Sequence, residues 1–478
     1  MGYARRHVKA TMNPVAPRPA DRTCAIAADL RRLCPDIPGA LVPISKPRKS
    51  PMPGWHGSIR STLALWVVPL LALGLWSAGP VCGGENWPQF RGPHANGQTA
   101  AQGLPVTFGE AENLRWKIPV HGKAWSSPVI WEQQIWMSTA TKDGKELGAV
   151  CIDAESGKIL FDVVAFNIDK PLFCHPMNSY ATPTPVIENG RLYLHFGTYG
   201  SACLDTTNAK TLWTHQEFSC DHFRGPASSP ILVDNLLVLT FDGIDVQFIA
   251  ALDKLTGKTV WKRDRKIVYD TEDHDYWKAY STPALISVQG HQQLVSPSAG
   301  ATIAYEPKTG EEIWRVRSGG MNASALPLFG NGLVYATSAA GGYQLFAVRP
   351  DGRGDVTESH VAWQFAKNVP TRSSQILLGE RLFMISDAGV ISCVDAKSGL
   401  SIWQKRLGGP FSASPLFAEG RIYFFGEDGD VPVIAAADTF QLLATNQLGD
   451  GFMASPAVYN NSLILRSRSH LYRIEKKP

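Results

Sequence analysis

The sequence predicts an all-β protein, an eight-bladed β-propeller built from four-stranded antiparallel blades. Three observations predict it: a turn motif that recurs along the chain, a Pro-started strand before each turn, and alternating apolar strands between them. The spacing of the motif, roughly 40–55 residues, is typical of propellers and other repeat folds. The clearest copy spans 250–261 and ends in Trp261, and weaker copies extend from about residue 110 to the carboxyl end.

The turn of the repeat has the form of an acidic residue, two variable residues, Ser or Thr, and Gly. In the clearest copy these positions hold Asp253, Thr256 and Gly257. The Asp side chain can accept hydrogen bonds from the backbone just after it, and Gly supplies the positive φ that closes a hairpin. Each such turn therefore predicts a hairpin between the third and fourth strands of a blade.

The first strand of each copy begins with a small residue followed by Pro, as in Ser127-Pro128 and Thr184-Pro185. Proline is tolerated at the first position of a strand, where its missing N–H costs least. A Gly- or Asn-containing turn follows, and then a strand such as 191–196, in which apolar and polar residues alternate. Period-two alternation indicates a half-buried strand, so each copy contains four strands.

Counting these elements predicts how the ring closes. First strands begin at eight places, with Ser374-Gln375 in the slot of the sixth copy. Fourth strands also number eight, but the earliest, 113–118, precedes every first strand, and the last copy ends at 471–474 without a fourth strand. We expect 113–118 to complete the final blade, because this joins the two ends and leaves no free sheet edge.

The amino-terminal region differs in composition from the repeats. Residues 1–58 are rich in Pro, Arg and Ala without a sustained period, which predicts a disordered leader. Residues 59–82 hold a basic flank, a short apolar run and small residues, typical of a signal peptide or an uncleaved amino-terminal anchor. Both Met1 and Met52 stay open as the start. We expect 83–112 to be an extension that packs on the propeller, which spans 113–478.

Charge and cysteine content narrow the functional classes. The chain has a net charge of +4, but residues 1–60 alone carry +8, so the remainder is mildly acidic. This part of the chain lacks the basic surface that is typical of a nucleic-acid-binding protein.

Cys174 and Cys220 lie in linkers between repeats, and their pairing stays open because it depends on an oxidising compartment. The signal segment predicts export to the periplasm or cell envelope, with membrane contact only through that segment if it is uncleaved.

Candidate functional residues lie in the linkers from one copy to the next. Three linkers are long: 162–181, 214–227 and 262–280. Because the linkers occupy the same position in every repeat, we expect all of them to emerge on one face. Loops held by a rigid scaffold are where propellers carry function. The residues predicted to face a central funnel are Trp125, His175, Asn178, Tyr180, His222, Arg224, His274, Tyr280, Asn322 and Arg372.

Two interpretations of this face stay open. In one, Tyr180, Tyr280 and Trp125 wall a small-molecule or metal pocket whose polar contacts are Arg224 and His175. A protein partner or a small-molecule ligand is expected on this loop face. In the other, the long linkers pack on one another and their His and Asp side chains are solvated or cap turns. No tight ligand spacing such as His-x-x-x-His occurs, so we expect no metal site and assign no catalytic residue.

The pattern Asp/Glu-x-x-[Ser/Thr]-Gly-x-x-x-Trp resembles the pyrroloquinoline-quinone (PQQ) type of propeller repeat, over about 110–475. The resemblance implies eight blades and an aromatic residue on each outer strand that docks against the next blade. These residues are Trp116, Phe161, Trp213, Trp261, Trp314, Trp363 and Trp403. The segment 86–93 resembles the opening of exported members of this class in planctomycete-like bacteria, and we expect it to pack on the edge of the barrel.

The family resemblance implies two different functions. PQQ-dependent dehydrogenases carry an adjacent Cys-Cys disulfide, a Ca²⁺ site and an Asp base, whereas this sequence has no Cys-Cys pair and no matching Ca²⁺ ligands. Non-enzymatic relatives include the lipoprotein that assists outer-membrane β-barrel assembly by binding protein partners. We expect a non-catalytic binding or scaffold module without a cofactor. A dehydrogenase that uses PQQ with Ca²⁺ is the alternative, and whether any catalysis occurs stays open.

Overall fold

The computed structural model describes residues 85–340 and 342–477. The predicted leader, 1–58, and the predicted signal or anchor segment, 59–82, lie outside them. The described residues form eight antiparallel sheets of the propeller, which confirms the predicted fold class. No helix in this part of the chain is both long and apolar enough to cross a membrane.

The first strand of the chain, β1 (Leu114–Pro119), belongs to the last blade. Blades 1 to 4 then follow in sequence, each running from the central axis outward. Their strands are β2 (Val129–Trp131), β3 (Gln134–Ala140), β4 (Glu146–Asp153) and β5 (Ile159–Asn167); β6 (Val186–Glu188), β7 (Arg191–His195), β8 (Ser201–Asp205) and β9 (Thr211–His215); β10 (Ile231–Val233), β11 (Leu236–Asp242), β12 (Gln247–Asp253) and β13 (Thr259–Asp264); and β14 (Ala284–Val288), β15 (His291–Pro297), β16 (Gly300–Tyr305) and β17 (Glu312–Gly319).

Blades 5 to 8 repeat the arrangement, with one short insertion in blade 5. Their strands are β18 (Leu328–Gly330), β19 (Leu333–Ala340), β20 (Gly342–Val348) and β22 (Val361–Phe365); β23 (Ile376–Leu378), β24 (Arg381–Ile385), β25 (Val390–Asp395) and β26 (Ser401–Arg406); β27 (Leu416–Ala418), β28 (Arg421–Tyr423), β29 (Asp430–Ala435) and β30 (Leu442–Gln447); and β31 (Ala457–Tyr459), β32 (Ser462–Arg466) and β33 (His470–Glu475) with β1. The insertion holds β21 (Gly354–Asp355), parallel to β17, and the one-turn helix α1 (Thr357–His360). Two 3-10 helices, Gly197–Tyr199 and His274–Trp277, lie between strands.

The ring closes as predicted. Strand β1 pairs antiparallel with β33, and the pairs include Lys117 with Tyr472 and Ile118 with Leu471. Residues more than 350 positions apart therefore share one sheet, and this pairing fastens the last blade to the start of the propeller. A closed ring protects blade edges from pairing with other chains.

The outer-strand tryptophans join neighbouring blades by a repeated contact. The indole Nε1 of Trp213 donates to the Lys254 carbonyl at 3.0 Å, and that of Trp261 donates to the Pro307 carbonyl at 3.1 Å. Trp116, Trp363 and Trp403 make the equivalent bond to Ala154, Ala396 and Ala437. Each acceptor lies in the turn of the next blade, so the motif of one blade is completed by its neighbour.

Trp314 and Phe161 depart from this contact. The insertion in blade 5 replaces the usual turn, and Trp314 donates instead to the Gln293 side chain at 2.8 Å. Gln293 in turn donates to the Pro350 carbonyl, so it relays the contact to the inserted segment. Phe161 has no donor and stacks on Trp136, with ring centroids 5.9 Å apart.

The glycine of the motif is required for two reasons, which Gly257 illustrates. Its φ is +72°, in the left-handed region that favours glycine. A Cβ built there would lie only 2.6 Å from the ring of Trp213 in the preceding blade. The turn residue and the tryptophan of the repeat are thus two sides of a single interblade contact.

A second set of interblade bonds surrounds the central axis. At the start of the innermost strands, a backbone N–H of one blade donates to the Ser or Thr hydroxyl of the next. The seven bonds run from Ser127 to Thr184, Thr184 to Ser229, Ser229 to Thr282, Leu326 to Ser374, Ser374 to Ser414, Ser414 to Ser455 and Ser455 to Ser127. In blade 5 the equivalent of the Ser or Thr residue is Leu326, which has no hydroxyl. Among these residues, the bond from blade 4 to blade 5 therefore lacks its acceptor.

The amino-terminal extension packs on the inner strands of several blades. Trp87 pairs with Ile130 through two backbone hydrogen bonds, and the Pro88 carbonyl accepts from Ile187. Further along, Gln98 donates to the Leu377 carbonyl, and Thr99 donates to the Phe417 carbonyl. The segment therefore crosses from blades 1 and 2 to blades 6 and 7.

The cysteines of the described residues are free thiols, including Cys174 and Cys220, so this structure does not form the disulfide that the sequence left open. Cys151, Cys203 and Cys393 are fully buried on the third strands of their blades, where they pack as small apolar residues.

Candidate functional site

The linker face of the propeller holds a central cavity of about 700 Å³. All eight linkers contribute to its walls, and the hydroxyls of the inner interblade bonds contribute as well. Seven of the ten predicted residues line it: Trp125, His175, Asn178, Arg224, Tyr280, Asn322 and Arg372. Residues at equivalent positions of successive repeats thus meet in one cavity, although Trp125 and Arg372 are 247 positions apart in the sequence.

One wall of the cavity consists of the three long linkers, which are tied to one another. Asn178 donates to the Arg224 carbonyl at 2.9 Å, joining the first long linker to the second. The Tyr280 hydroxyl donates to the His222 carbonyl at 2.9 Å, joining the third to the second. Trp125 Nε1 donates to the Met177 carbonyl at 3.1 Å. The linkers therefore pack on one another and also wall a cavity, so the two interpretations of this face are compatible.

The charged groups on the long-linker wall are unevenly paired. The buried ammonium of Lys278 forms an ion pair with Asp275 and also donates to its backbone carbonyl at 2.6 Å. Burial lowers the pKa of Lys278, and Asp275 partly offsets this. Arg224 Nη2 is 3.9 Å from the same carboxylate, and its side chain is 37% exposed. Arg224 also lines the cavity, and the 3.9 Å separation from Asp275 is too long for a hydrogen bond, so the exposed part of this guanidinium can donate to a ligand.

The opposite wall, formed by short linkers, holds a saturated ion-pair network. Arg372 Nε is 3.1 Å from Asp387, and its Nη1 is 3.0 Å from Glu427. Ser412 donates to the same Glu427 oxygen at 2.6 Å, and Thr371 also donates to Asp387. Arg468 adds a second cation 3.5 Å from Glu427. The charge of Arg372 is therefore neutralised within the wall.

Three predicted residues do not line the cavity, because they serve linker packing. Tyr180 donates its hydroxyl to the Leu172 carbonyl at 2.8 Å, and its ring contacts Tyr199. His222 is buried against Phe241, and burial lowers its pKa to about 4. His274 stacks on Trp277, with ring centroids 3.7 Å apart. For these three residues the structure agrees with the packing interpretation.

Several residues that line the cavity are not among those predicted from the sequence. Met177, Met321 and Tyr276 line it from the linkers, and Phe90 lines it from the amino-terminal extension. In six blades a Ser or Thr precedes the strand-opening Pro, and these six residues also line the cavity, so their recurrence in the sequence is a signal that could have identified them. Phe90 comes from outside the repeats, so no periodic signal could have placed it.

The rim of the long-linker wall is apolar and exposed. We call this rim the linker patch and define it as Leu172, Phe173, Met177, Phe223 and Tyr276. Phe173 is 60% exposed, and its ring centroid is 6.0 Å from that of Phe223. Met177 and Tyr276 also line the cavity, so the patch and the cavity form a continuous surface.

The described residues contain no group of three or more His, Cys, Asp or Glu side chains placed to hold a metal ion.

Comparison with known proteins finds similarity in sequence and, separately, in fold. The outer membrane protein assembly factor BamB of Shewanella oneidensis is 23% identical over 308 residues, which are 60% of this chain and 72% of that protein. The crystal structure of BamB from Moraxella catarrhalis aligns with a TM-score of 0.54 at 14% identity, over 76% of this chain and 99% of that chain.

An enzyme shares the fold as well. The quinohemoprotein alcohol dehydrogenase of Comamonas testosteroni aligns with a TM-score of 0.58 at 10% identity, over 82% of this chain and 81% of that chain. At such low identity this similarity concerns the fold alone. The family model described as "Outer membrane protein assembly factor BamB" matches residues 110–264, 245–376 and 355–444, and the chain belongs to this family of PQQ-repeat propellers.

Proposed function

We propose that this protein is an exported, non-catalytic binding and scaffold module of the cell envelope that docks a protein partner on its linker patch. The observation that carries the proposal is the continuity of exposed aromatic and Met side chains with the mouth of the cavity. Contiguous exposed apolar surface bordered by polar groups is typical of protein interaction sites. Aromatic residues and Met are also enriched in the cores of such interfaces.

The rigidity of the linkers supports the same function. The bonds of Asn178 and Tyr280 hold the three long linkers to one another before any partner arrives. A surface that is already ordered loses less conformational entropy on binding. Arg224 lines the cavity beside the patch and is only loosely paired with Asp275, so its guanidinium can donate to a carboxylate or carbonyl of the partner.

The names of the relatives point in the same direction. One is called an outer membrane protein assembly factor, and the matching family model carries the same description. An assembly factor of the outer membrane is an envelope protein that works on other proteins. We therefore assign this chain to the envelope and give it a protein partner as part of the same proposal.

The alternative, a PQQ-dependent dehydrogenase, fits the cavity less well. Ca²⁺ bound beside a quinone requires oxygen ligands such as carboxylates. The carboxylates around this cavity are already paired, Asp387 and Glu427 with Arg372, and Asp275 with Lys278. A Ca²⁺ ion would have to compete with these cations, so the residues do not fit the cofactor and we derive no reaction through it.

The test of the docking surface is site-specific crosslinking in living cells. A photoreactive residue at 173 should give a discrete adduct with an envelope protein, whereas one at 442, on the outer strand of blade 7, should not. Leu442 is the matched control because it is also an apolar residue, 45% exposed, on a different surface. Binding is then measured with the purified pair, and Phe173→Ser should weaken it at least tenfold, while Leu442→Ser should leave it unchanged. Equal effects at both positions would contradict the proposal.

The catalytic alternative is tested separately by adding PQQ and Ca²⁺ to the purified protein and recording the visible spectrum. We expect no saturable change. A saturable change that Arg224→Ala abolishes would instead favour a cofactor in the cavity.

A further inference from the structure

The hydroxyls of the inner interblade bonds surround the central axis, and we call them the inner hydroxyl ring. Each oxygen accepts one backbone N–H from the preceding blade, at distances of 2.9–3.0 Å. These residues are at most 5% exposed. The members of the ring are Ser127, Thr184, Ser229, Thr282, Ser374, Ser414 and Ser455.

The hydrogen-bonding capacity of the inner hydroxyl ring is only partly used. Within the described part of the chain these hydroxyls accept, and none of them donates its own proton to a protein acceptor. A hydroxyl has one donor site and two acceptor sites, so each member keeps one donor and one acceptor site. Buried polar groups nearly always find partners in protein or solvent. The remaining sites of the ring therefore need partners that the described chain does not supply.

Space for such a partner lies directly beside the ring. All of its members except Ser374 line the central cavity of about 700 Å³. The six that do so come from consecutive blades, 7, 8 and 1 to 4, and thus form an uninterrupted arc. The arc ends at blade 5, where Leu326 has no hydroxyl. Cavities of roughly 300–1,000 Å³ are typical of sites for small organic ligands, and a single ion would leave most of this volume unfilled.

The rest of the lining offers hydrogen bonds rather than concentrated charge. Asp387 is the one carboxylate among the described residues of the lining, and it is 3.1 Å from Arg372. Arg224 is the more loosely paired arginine, 3.9 Å from a carboxylate outside the lining. His175 Nδ1 accepts the Met177 N–H at 3.2 Å, so in a neutral imidazole the other ring nitrogen is a donor. A bound cation would lack a free carboxylate, and a polyanion would meet a single loosely paired arginine.

We propose that the cavity binds a small saccharide along the arc of the inner hydroxyl ring, a ligand site in addition to the proposed docking of a protein on the linker patch. A sugar hydroxyl both donates and accepts, as each ring hydroxyl does, whereas an anion uses only donors and a cation uses only acceptors. Half-buried Phe90, Met321 and Met453 also line the cavity and supply apolar surface for the C–H groups of a sugar. Small-molecule sites combine such apolar surface with a few well-placed polar groups.

The first test is the binding of sugars to the purified protein, measured by calorimetry and by saturation-transfer NMR. The probes are glucose, galactose, mannose, N-acetylglucosamine, maltose and cellobiose, with inorganic phosphate and Ca²⁺ as ionic probes. We expect saturable binding of at least one sugar. Absence of saturable binding by all six sugars would overturn the proposal. Saturable binding of an ionic probe that excludes the bound sugar from the cavity and is tighter than the sugar would overturn it as well.

The second test removes one hydroxyl from the arc. Ser414→Ala should weaken binding of that sugar roughly three- to tenfold, which is the contribution of one neutral hydrogen bond. Ser374→Ala is the matched control, because it removes the same kind of interblade bond away from the cavity, and it should bind like the wild type. Ser414→Thr should retain binding, since Thr184 and Thr282 occupy the equivalent position in their blades. Equal losses in the two alanine variants would reject the arc as the site.

Crystals of the wild type soaked in the same sugar decide the case if the alanine variants do not fold. Sugar density should lie within hydrogen-bond distance of at least two hydroxyls of the arc. Water alone in the cavity, or sugar bound elsewhere, would overturn the proposal. Sugar density without saturable binding in solution would mark binding at crystal concentration only and would overturn it too. Phe173→Ser should leave sugar binding unchanged, so this site and the docking surface can fail separately.

Discussion

The two walls of the central cavity rest on the same scaffold but present opposite surfaces. Behind both walls, the blades use the same tryptophan contact and the same inner hydroxyl bonds. The long-linker wall exposes Phe173 and Met177, and its Arg224 is paired only loosely, 3.9 Å from Asp275. The short-linker wall is closed by Arg372 and its carboxylates. The repeats therefore determine the scaffold, whereas insertions between repeats determine what the surface can bind.

The variants with the largest expected effect test whether the interblade contacts behind the two walls contribute equally to stability. Trp261 supports the long-linker side and Trp363 the short-linker side, and each donates to the turn of the next blade. Replacing either by Ala should destabilise the fold by roughly 3–5 kcal/mol, because a large aromatic is removed from a packed interface. Urea unfolding measures both. A loss below about 1 kcal/mol at Trp261 would remove it from the interblade role, and unequal losses would show that the two sides are not equivalent.

The next largest effect is a loss of stability at low pH. It should be confined to the long-linker side, because the two histidines whose pKa values are most strongly lowered lie there. His195 and His222 contact Phe241, and burial lowers their pKa values to about 3 and about 4. Between the usual histidine pKa of 6.5 and these values, the unfolded chain binds more protons than the folded chain. Stability is therefore complete above about pH 6.5 and falls as the pH is lowered toward 4.

For His222 alone the full shift corresponds to roughly 3 kcal/mol, at about 1.4 kcal/mol for each pKa unit. Hydrogen exchange at pH 7 and pH 5 should show the 214–227 linker opening first, while the short linkers stay protected. His222→Phe, which cannot be protonated at this position, should remove part of the pH dependence of unfolding and leave the part that is due to His195. A wild type whose stability is constant from pH 7 to pH 4 would contradict this account.

The fold could be predicted because the residues that each blade requires recur in nearly all of the eight copies of the repeat. Gly257 illustrates this, since the turn and the preceding tryptophan both demand glycine there. The closure by 113–118 followed from counting strands, and the structure confirms it with β1 paired to β33. Trp314 shows where the pattern fails, because the insertion in blade 5 changes its partner to Gln293.

The site was predictable only in part. Repeat phase was sufficient to bring Trp125, Tyr280 and Arg372 to one cavity. It did not reveal that Arg372 is neutralised, because Asp387 and Glu427 come from two further segments. It also placed His222 on the right linker without showing that this side chain turns into the packed interior. Whether a linker side chain faces the cavity or the packing depends on contacts between linkers, which have no common period.

A smaller effect is expected from the short-linker wall. Arg372→Ala leaves Asp387 without its ion pair and Glu427 with Arg468 at 3.5 Å. Because Arg372 is 28% exposed, solvent screens part of the loss, and we expect a destabilisation of about 1–2 kcal/mol. Thermal or urea unfolding measures it. The double variant Arg372→Ala, Asp387→Asn should recover part of the loss, and the network would not be the cause if it recovers none.

The smallest effect on stability is expected at Arg224, where the comparison between the walls is sharpest. Its 3.9 Å contact with Asp275 is long and partly exposed, and Lys278 already pairs with that carboxylate. Arg224→Ala should therefore change the free energy of unfolding by less than about 1 kcal/mol. If Arg224 contacts the partner, the same variant should weaken binding to the crosslinked partner and reduce the salt dependence of the association rate. Arg372→Ala is the control, and it should lower stability while leaving that salt dependence unchanged. Unchanged binding by Arg224→Ala would return this arginine to a packing role and leave the linker patch alone as the docking surface.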